Sequence, residues 1–323
     1  MGFLRAWPAW ARPDHPVFSL EAERRGGVRS LALLQMGCMP LLFAVVGFAL
    51  ALILLIGLPT LVLSGDADQI ITLLSIAVTA MAVVQAVGGA MVNVLTIAST
   101  APLVSGEVEL QSWNLLRATV LPLHDILFAK LAAAIHSQRL PLTALLILRV
   151  ISLVTALLLG MGFLLRDTFY WMSRAEYRQF WQEGMWAPIV IAVVVAAVFW
   201  VTQPLVQMGL NGAIGMLASV SGRTRSRAIA SALAGRLVLW IGAAMVNFSA
   251  IYGLAFLILG NWLEPRYASI EAFRTLPEPT PAQAVWMVGL VIAGYILVVM
   301  ASQIGLTLAM LGIAQRRARL LGG

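Results

Sequence analysis

Charge is what this sequence has least of. Only 11% of its 323 residues are Asp, Glu, Lys or Arg, where a soluble domain carries roughly a quarter to solvate its surface. Hydrophobic residues make up 61% and mean hydropathy is +0.92. These figures exclude a water-soluble globule of this length, because long stretches with no charge must face lipid. Cysteine is nearly absent too. The single Cys38 lies in an apolar run, cannot form an intrachain disulfide, and reads as a small buried hydrophobe.

Catalytic and coupling chemistry is equally sparse. All fourteen acidic residues lie outside the apolar runs, whereas ion-coupled carriers keep an ionisable carboxylate in the membrane. His15, His124 and His136 are outside the runs as well, leaving no intramembrane pair for a haem. There is no His-Glu-x-x-His sequence and no Gly-x-Ser-x-Gly elbow. Lys130 is the only lysine, and Ala129 precedes it, so no Gly-x-x-x-x-Gly-Lys phosphate loop exists. No metal site, resident cofactor or catalytic residue is expected. A pI near 10.5 does not imply nucleic acid, because the arginines flank apolar runs, where membrane topology and anionic headgroups account for them. Residues 1–30 hold five arginines and no apolar core, so they predict no secretory signal.

What is present is a series of apolar runs, each about 20 residues or more, enough to cross a hydrocarbon core of roughly 30 Å. They cover Leu31–Leu63, Ile70–Thr100, Leu142–Leu165, Ala187–Val220, Ala228–Trp262 and Ala284–Ala314. Lipid cannot hydrogen-bond an open backbone, so the fold class predicted is an all-α integral membrane protein with about six transmembrane helices. An N-terminal segment, 1–30, precedes a six-span membrane domain, 31–323. With both termini in the cytoplasm, the inside segments hold fourteen basic residues (the clusters 5–29, 117–139, 223–227 and 316–319) against five outside, which agrees with the positive-inside bias. Ser173 and Glu176 predict a capping box for a short outside helix bearing Tyr177, Phe180 and Trp181. Pro265, Pro277, Pro279 and Pro281 suit a non-helical outer cap.

The longest inside segment, 101–141, is the most distinctive. Ser112 is placed to N-cap a short helix, Trp113, Leu116 and Val120 share one of its faces, and Pro122 stops it. Acidic Glu107 and Glu109 precede it. Residues 107–130 resemble a stretch of the permease subunits of type-2 ABC exporters, whose pattern is Glu-x-Glu, Gly-Thr, a Leu-Leu helix, Thr-Pro-Leu-Ser, an acidic residue, Ile-Leu and Gly-Lys. Glu107, Glu109, Ser112, Leu115, Leu116, Thr119, Asp125, Ile126, Leu127 and Lys130 take matching places, while Gln111 and Ala129 stand where the pattern has glycine and Val120 where it has proline. Pro16–Glu21 with Arg24 and Arg25 is similar to the family's amphipathic elbow helix. Gly215 to Ser219, followed by Arg223, Arg225 and Arg227, is similar to its loop between spans four and five.

The resemblance implies that residues 101–130 form a coupling-helix region, with Glu107, Glu109, Ser112, Trp113, Leu116 and Thr119 at the interface with an ATPase subunit. It also implies a second permease subunit, the same or similar, a bacterial plasma membrane, and ATP with magnesium bound only by the partner. Export of an unidentified substrate follows on that reading; a non-ATP transporter or channel, or a membrane scaffold, is the alternative. Gln203, Gln207 and Asn211 recur every four residues on one helix face, as do Gln85, Gly89 and Asn93 on another. They serve either as a polar pathway lining or as interhelical hydrogen bonds beside the close-packing Gly209, Gly212 and Gly215. Arg149 and Arg236 lie inside apolar runs, where they either snorkel or bind an anion.

Overall fold

The computed structural model describes Pro8, Trp10, Arg12, residues 14–26, residues 67–163, Arg178, and residues 180–263 and 281–321. The expected first span Leu31–Leu63, the Ser173 capping box and Pro265, Pro277 and Pro279 lie outside the described residues. Among the described residues every regular element is a helix. In chain order these are α1 (Pro16–Gly26), α2 (Ala67–Thr100), α3 (Pro102–Glu109), α4 (Trp113–Arg117), α5 (Leu123–His136), α6 (Arg139–Phe163), α7 (Trp186–Ser221), α8 (Arg225–Leu263) and α9 (Pro281–Leu320).

Among the described residues, five helical stretches are long and apolar enough to cross a membrane: Ser75–Glu109, which runs through α2 and α3, Arg139–Leu157, Trp186–Ser221, Arg225–Ser249 and Val285–Leu320. They coincide with the expected second to sixth runs. The helices outlast the runs, however. At 1.5 Å per residue, the 40 residues of α9 extend about 60 Å, and its last turns carry Arg316, Arg317 and Arg319 beyond any apolar layer. Their side faces are apolar and open: Val194 of α7, Val238 and Met245 of α8, and Val298 of α9 are all half or more exposed. Such faces are unfavourable in water and neutral in lipid.

The chain forms two compact units. The first comprises Met1–Tyr170, Trp200–Leu233 and Ser302–Gly323. Its main core joins Val104 of α3, Trp113 of α4, Leu127 of α5, Met216 of α7 and Ala314 of α9. Two smaller clusters pack Met81 of α2 on Leu148 of α6, and Phe18 of α1 on Ala129 and Ala133 of α5. The second comprises Trp171–Phe199 and Ala234–Ala301. Within it, Tyr295 of α9 donates a hydrogen bond to Asn247 of α8. Gly289 packs so closely on Pro188 that a Cβ there would lie 2.8 Å from the Pro188 carbonyl oxygen.

A four-residue spacing on α7 organises the first unit. Gly215 lies against the joint between α2 and α3, where Pro102 removes an N–H and divides the long helix. A Cβ at Gly215 would fall 1.9 Å from Thr100 Oγ1 and 3.0 Å from the Ala101 nitrogen. One turn on, Ser219 Oγ accepts hydrogen bonds from the Val104 and Ser105 N–H groups at 2.7 and 3.0 Å. Those donors belong to the first turn of α3 and have no partner within it. A serine from another helix therefore caps α3, and Gly215 lets it come close enough. Gly212 is similarly tight, 3.0 Å from Leu131 Cδ1, whereas Gly209 meets Thr307 at an ordinary 3.8 Å.

Gly215→Ala is expected to lower stability by about 1–3 kcal/mol through overpacking, read as a drop in melting temperature of the purified protein. Gly89→Ala on α2, where an added Cβ meets nothing within 4 Å, should leave that temperature unchanged or slightly raised. Equal effects of the two substitutions would refute the close-packing role of Gly215.

Candidate functional site

α3 ends in a tight reversal. Gln111 has φ 58° and is the one non-glycine residue with positive φ among the described residues. The Ser112 N–H donates to the Glu107 carbonyl at 2.9 Å and the Gln111 N–H to the Val108 carbonyl at 3.1 Å. This pair of bonds is a Schellman closure, whose left-handed position favours glycine. The same closure follows Phe180 and Trp181 in the second unit: Met185 N–H bonds the Phe180 carbonyl, and Gly184, φ 66°, occupies the left-handed place.

α4 then runs for only five residues. Trp113 is buried at 3% exposure in the main core, and Leu116 packs partly against the same core. Leu110, Leu115 and Val120 are exposed, Leu115 at 74% and Val120 completely. The sequence expectation needs correction here. Val120 does not share a face with Trp113 and Leu116, because the helix ends at Arg117 and Val120 lies in the turn beyond it. Pro122 is likewise not what stops α4; it stands in extended conformation as the residue before α5. Ser112 has helical φ and ψ and makes no cap bond, since its hydroxyl donates to the Glu107 carboxylate instead. Thr119 Oγ1 donates to the Leu116 carbonyl at 2.7 Å and closes the far end of α4.

Glu107 is the hub beneath this crest. Its Oε1 accepts from Lys130 Nζ of α5 at 3.0 Å and from Arg24 Nη1 of α1 at 2.9 Å. Lys130 Nζ also reaches Glu21 Oε2 of α1 at 3.3 Å. Lys130 is 4% and Glu107 10% exposed at the side chain, so the charges are held by one another rather than by water. Glu109, by contrast, is half exposed and accepts from the Arg225 N–H at 3.1 Å. Arg225 lies over Gly106, where a Cβ would come within 2.9 Å of its Nε. At the far end of α5, burial and the neighbouring Arg139 guanidinium hold the His136 imidazole below its ordinary pKa range. Its ring Nε2 lies 3.1 Å from Arg139 Nη1, and its edge packs on Phe18.

The expected polar faces are partly brought together. Asn211, fully buried on α7, donates to Asn93 Oδ1 of α2 at 2.6 Å. Gln85, also buried, donates to the Leu148 carbonyl of α6 at 3.4 Å, while its Oε1 has no partner among the described residues. Gln203 and Gln207 are half-buried on α7. Arg236 is half-buried on α8, in the second unit. Arg149 is buried rather than extended toward a headgroup layer. Its Nη1 donates to the Trp200 carbonyl, and its guanidinium carbon lies 4.8 Å from the centre of the Trp200 ring.

Sequence reasoning missed both the Glu107 ion cluster and the seat of Arg149. The signals were present: a solitary lysine must find a carboxylate if its helix is buried, and Pro204 inside α7 marks Trp200, four residues earlier, as a carbonyl without its helical donor. Comparison with family models, with curated proteins and with solved structures returns no match.

Two outcomes test this geometry. Glu107→Ala should cost about 2–4 kcal/mol, because it leaves Lys130 buried with half its charge partners, whereas Glu109→Gln should cost under about 1 kcal/mol. Labelling by an amine reagent, followed by mass analysis, reads the same change at one site, since Lys130 is the only lysine; it should rise in Glu107→Ala alone. Gln111→Gly should hold or raise the melting temperature and Gln111→Val should lower it, by about 1–2 kcal/mol of left-handed strain.

Proposed function

We propose that this chain is the membrane-spanning permease subunit of a type-2 ABC exporter, driven by a separate ATPase subunit that binds at residues 107–120. One observation carries the reading. The chain turns left-handed at Gln111, the position where the family pattern has glycine, and immediately presents Leu110, Leu115 and Val120 to the outside on a base anchored by Trp113 and Glu107. A backbone conformation that favours glycine, at the residue aligned with a glycine, supports the register of the resemblance independently of the side chains that suggested it.

On this reading the roles within the segment divide. Leu115 and Val120, with Leu110, enter a groove of the ATPase. Trp113, Leu116, Ser112 and Glu107 make the mount rigid, and Glu109 with Arg225 ties it to the start of α8. The mount reaches the membrane helices through Ser219 and Gly215 of α7. ATP binding closes the ATPase pair, displaces the crest and biases one packing of the helices over another. α1 takes the place of the elbow helix, the run Leu31–Leu63 supplies a sixth span, and both termini lie in the cytoplasm. Two permease copies, identical or similar, enclose the pathway, with Gln203, Gln207 and Asn211 of α7 as its polar lining.

The test is whether an ATPase subunit co-purifies with the chain. Leu115→Glu with Val120→Glu should abolish the association and the chain-dependent ATP hydrolysis while leaving the melting temperature within about 2 °C, since both side chains are exposed and surface changes are usually near neutral. Trp113→Ala should instead destabilise the chain by about 3–5 kcal/mol. A stable, transport-active protein with no ATPase, or a double variant that retains the ATPase, would sink the reading in favour of a non-ATP transporter or a scaffold.

A further inference from the structure

Pro204 lies inside α7, 17 residues before its last residue, Ser221. Without an N–H it cannot bond the carbonyl four residues back, and its ring crowds that same carbonyl. The carbonyl belongs to Trp200. In a lipid-surrounded helix an unpaired carbonyl costs several kcal/mol, and neighbouring helices commonly supply the missing donor. Here the donor is Arg149 Nη1 of α6. The contact is reinforced twice: the guanidinium carbon lies over the Trp200 ring, 4.8 Å from its centre, and the Trp200 Nε1–H reaches Ser152 Oγ of α6 at 3.4 Å. Ser152 in turn donates to the Arg149 carbonyl at 3.0 Å, closing a ring of contacts between one turn of α6 and one residue of α7. One of the four places where the chain passes from one compact unit to the other falls between Phe199 and Trp200.

We infer that Pro204 is a hinge in α7 and that Arg149 is its latch: a positioning residue that holds the hinge in one bend by occupying the carbonyl the proline leaves free. Arg149 suits the task because a planar, weakly hydrated guanidinium can donate to the carbonyl from one nitrogen while the rest of the group lies over the indole. A buried charge with no carboxylate opposite it among the described residues is tolerated because the carbonyl dipole and the ring face partly replace its hydration. The bend determines where the following turns of α7, with Gln207 and Asn211, are directed. Only in saying what the bend is for, a switch between two pathway geometries, does the inference rest on the transporter reading.

A double-mutant cycle on the intact protein tests it without that reading. Pro204→Ala restores the N–H, so Trp200 bonds within its own helix and Arg149 loses its purpose. Arg149→Gln should lower the melting temperature by about 3–6 °C in the native background and by less than half as much in Pro204→Ala. Amide exchange of the peptide around Trp200 should quicken in Arg149→Gln and return in the double variant. Where Arg149→Gln fails to accumulate, Arg149→Lys, which keeps a donor but not the planar stack, carries the same comparison at a smaller shift. An equal loss in both backgrounds, or no loss in the native one, overturns the latch. A cycle that shows coupling, in a protein whose Leu115→Glu, Val120→Glu variant still transports, keeps the latch and discards only the ATPase.

Discussion

Lipid offers no hydrogen bonds, and that single deficit organises the molecule. A span must satisfy its backbone internally, which leaves helices, and any interruption must be repaired by a donor or acceptor from elsewhere in the chain. Two interruptions are described, and each is repaired in a specific way. Pro102 breaks the long helix after Thr100, and the exposed first-turn donors of α3 are taken by Ser219 from α7. Pro204 interrupts α7, and the orphaned Trp200 carbonyl is taken by Arg149 from α6. Among the buried polar side chains of the first unit, Ser219, Arg149 and Gln85 thus serve the backbone of another helix.

The same economy of polar groups explains the small charged cluster at the end of the bundle. Four ionic groups, Glu21, Arg24, Glu107 and Lys130, come from α1, α3 and α5 and neutralise one another. Such a cluster adds little net stability over apolar packing, but it is exacting about geometry, because its buried members Glu21, Glu107 and Lys130 are strongly disfavoured when left alone. It sets the base on which α4 is raised. The short helix could not persist by itself, since five residues are below the length at which helix formation is favourable. Trp113 beneath it and the Schellman closure before it supply the order that its own hydrogen bonds cannot.

In functional terms, the crest and the helices are linked by contacts that can be followed residue by residue: Leu115 outside, Trp113 beneath, Val104 and Met216 in the same core, then Ser219 and Gly215 on α7. A displacement of the crest need not be transmitted through loops. It would act on a packed core, which rearranges between discrete states rather than deforming smoothly.

Periodicity and composition alone determined the membrane class, the helical state and the approximate limits of the second to sixth runs, because apolar length and the absence of charge are properties of a local stretch. The segment 107–130 was legible as a special feature for the same reason: its turn chemistry and its short Trp113–Arg117 helix are written within a few residues. Which way Val120 faces, that Ser112 serves Glu107 rather than a helix end, and that Lys130 belongs with Glu21 and Arg24 were decided only by tertiary structure. The last joins groups 109 positions apart, and pairing at that range is selected by burial of the whole core; Ser112 and Glu107 are only five apart, but which bond that hydroxyl makes depends on how the chain reverses at Gln111. Arg149 is the plainest case. The sequence could name it as a charge in the wrong solvent, but only the approach of Arg149 to Trp200 revealed the carbonyl that makes the place right.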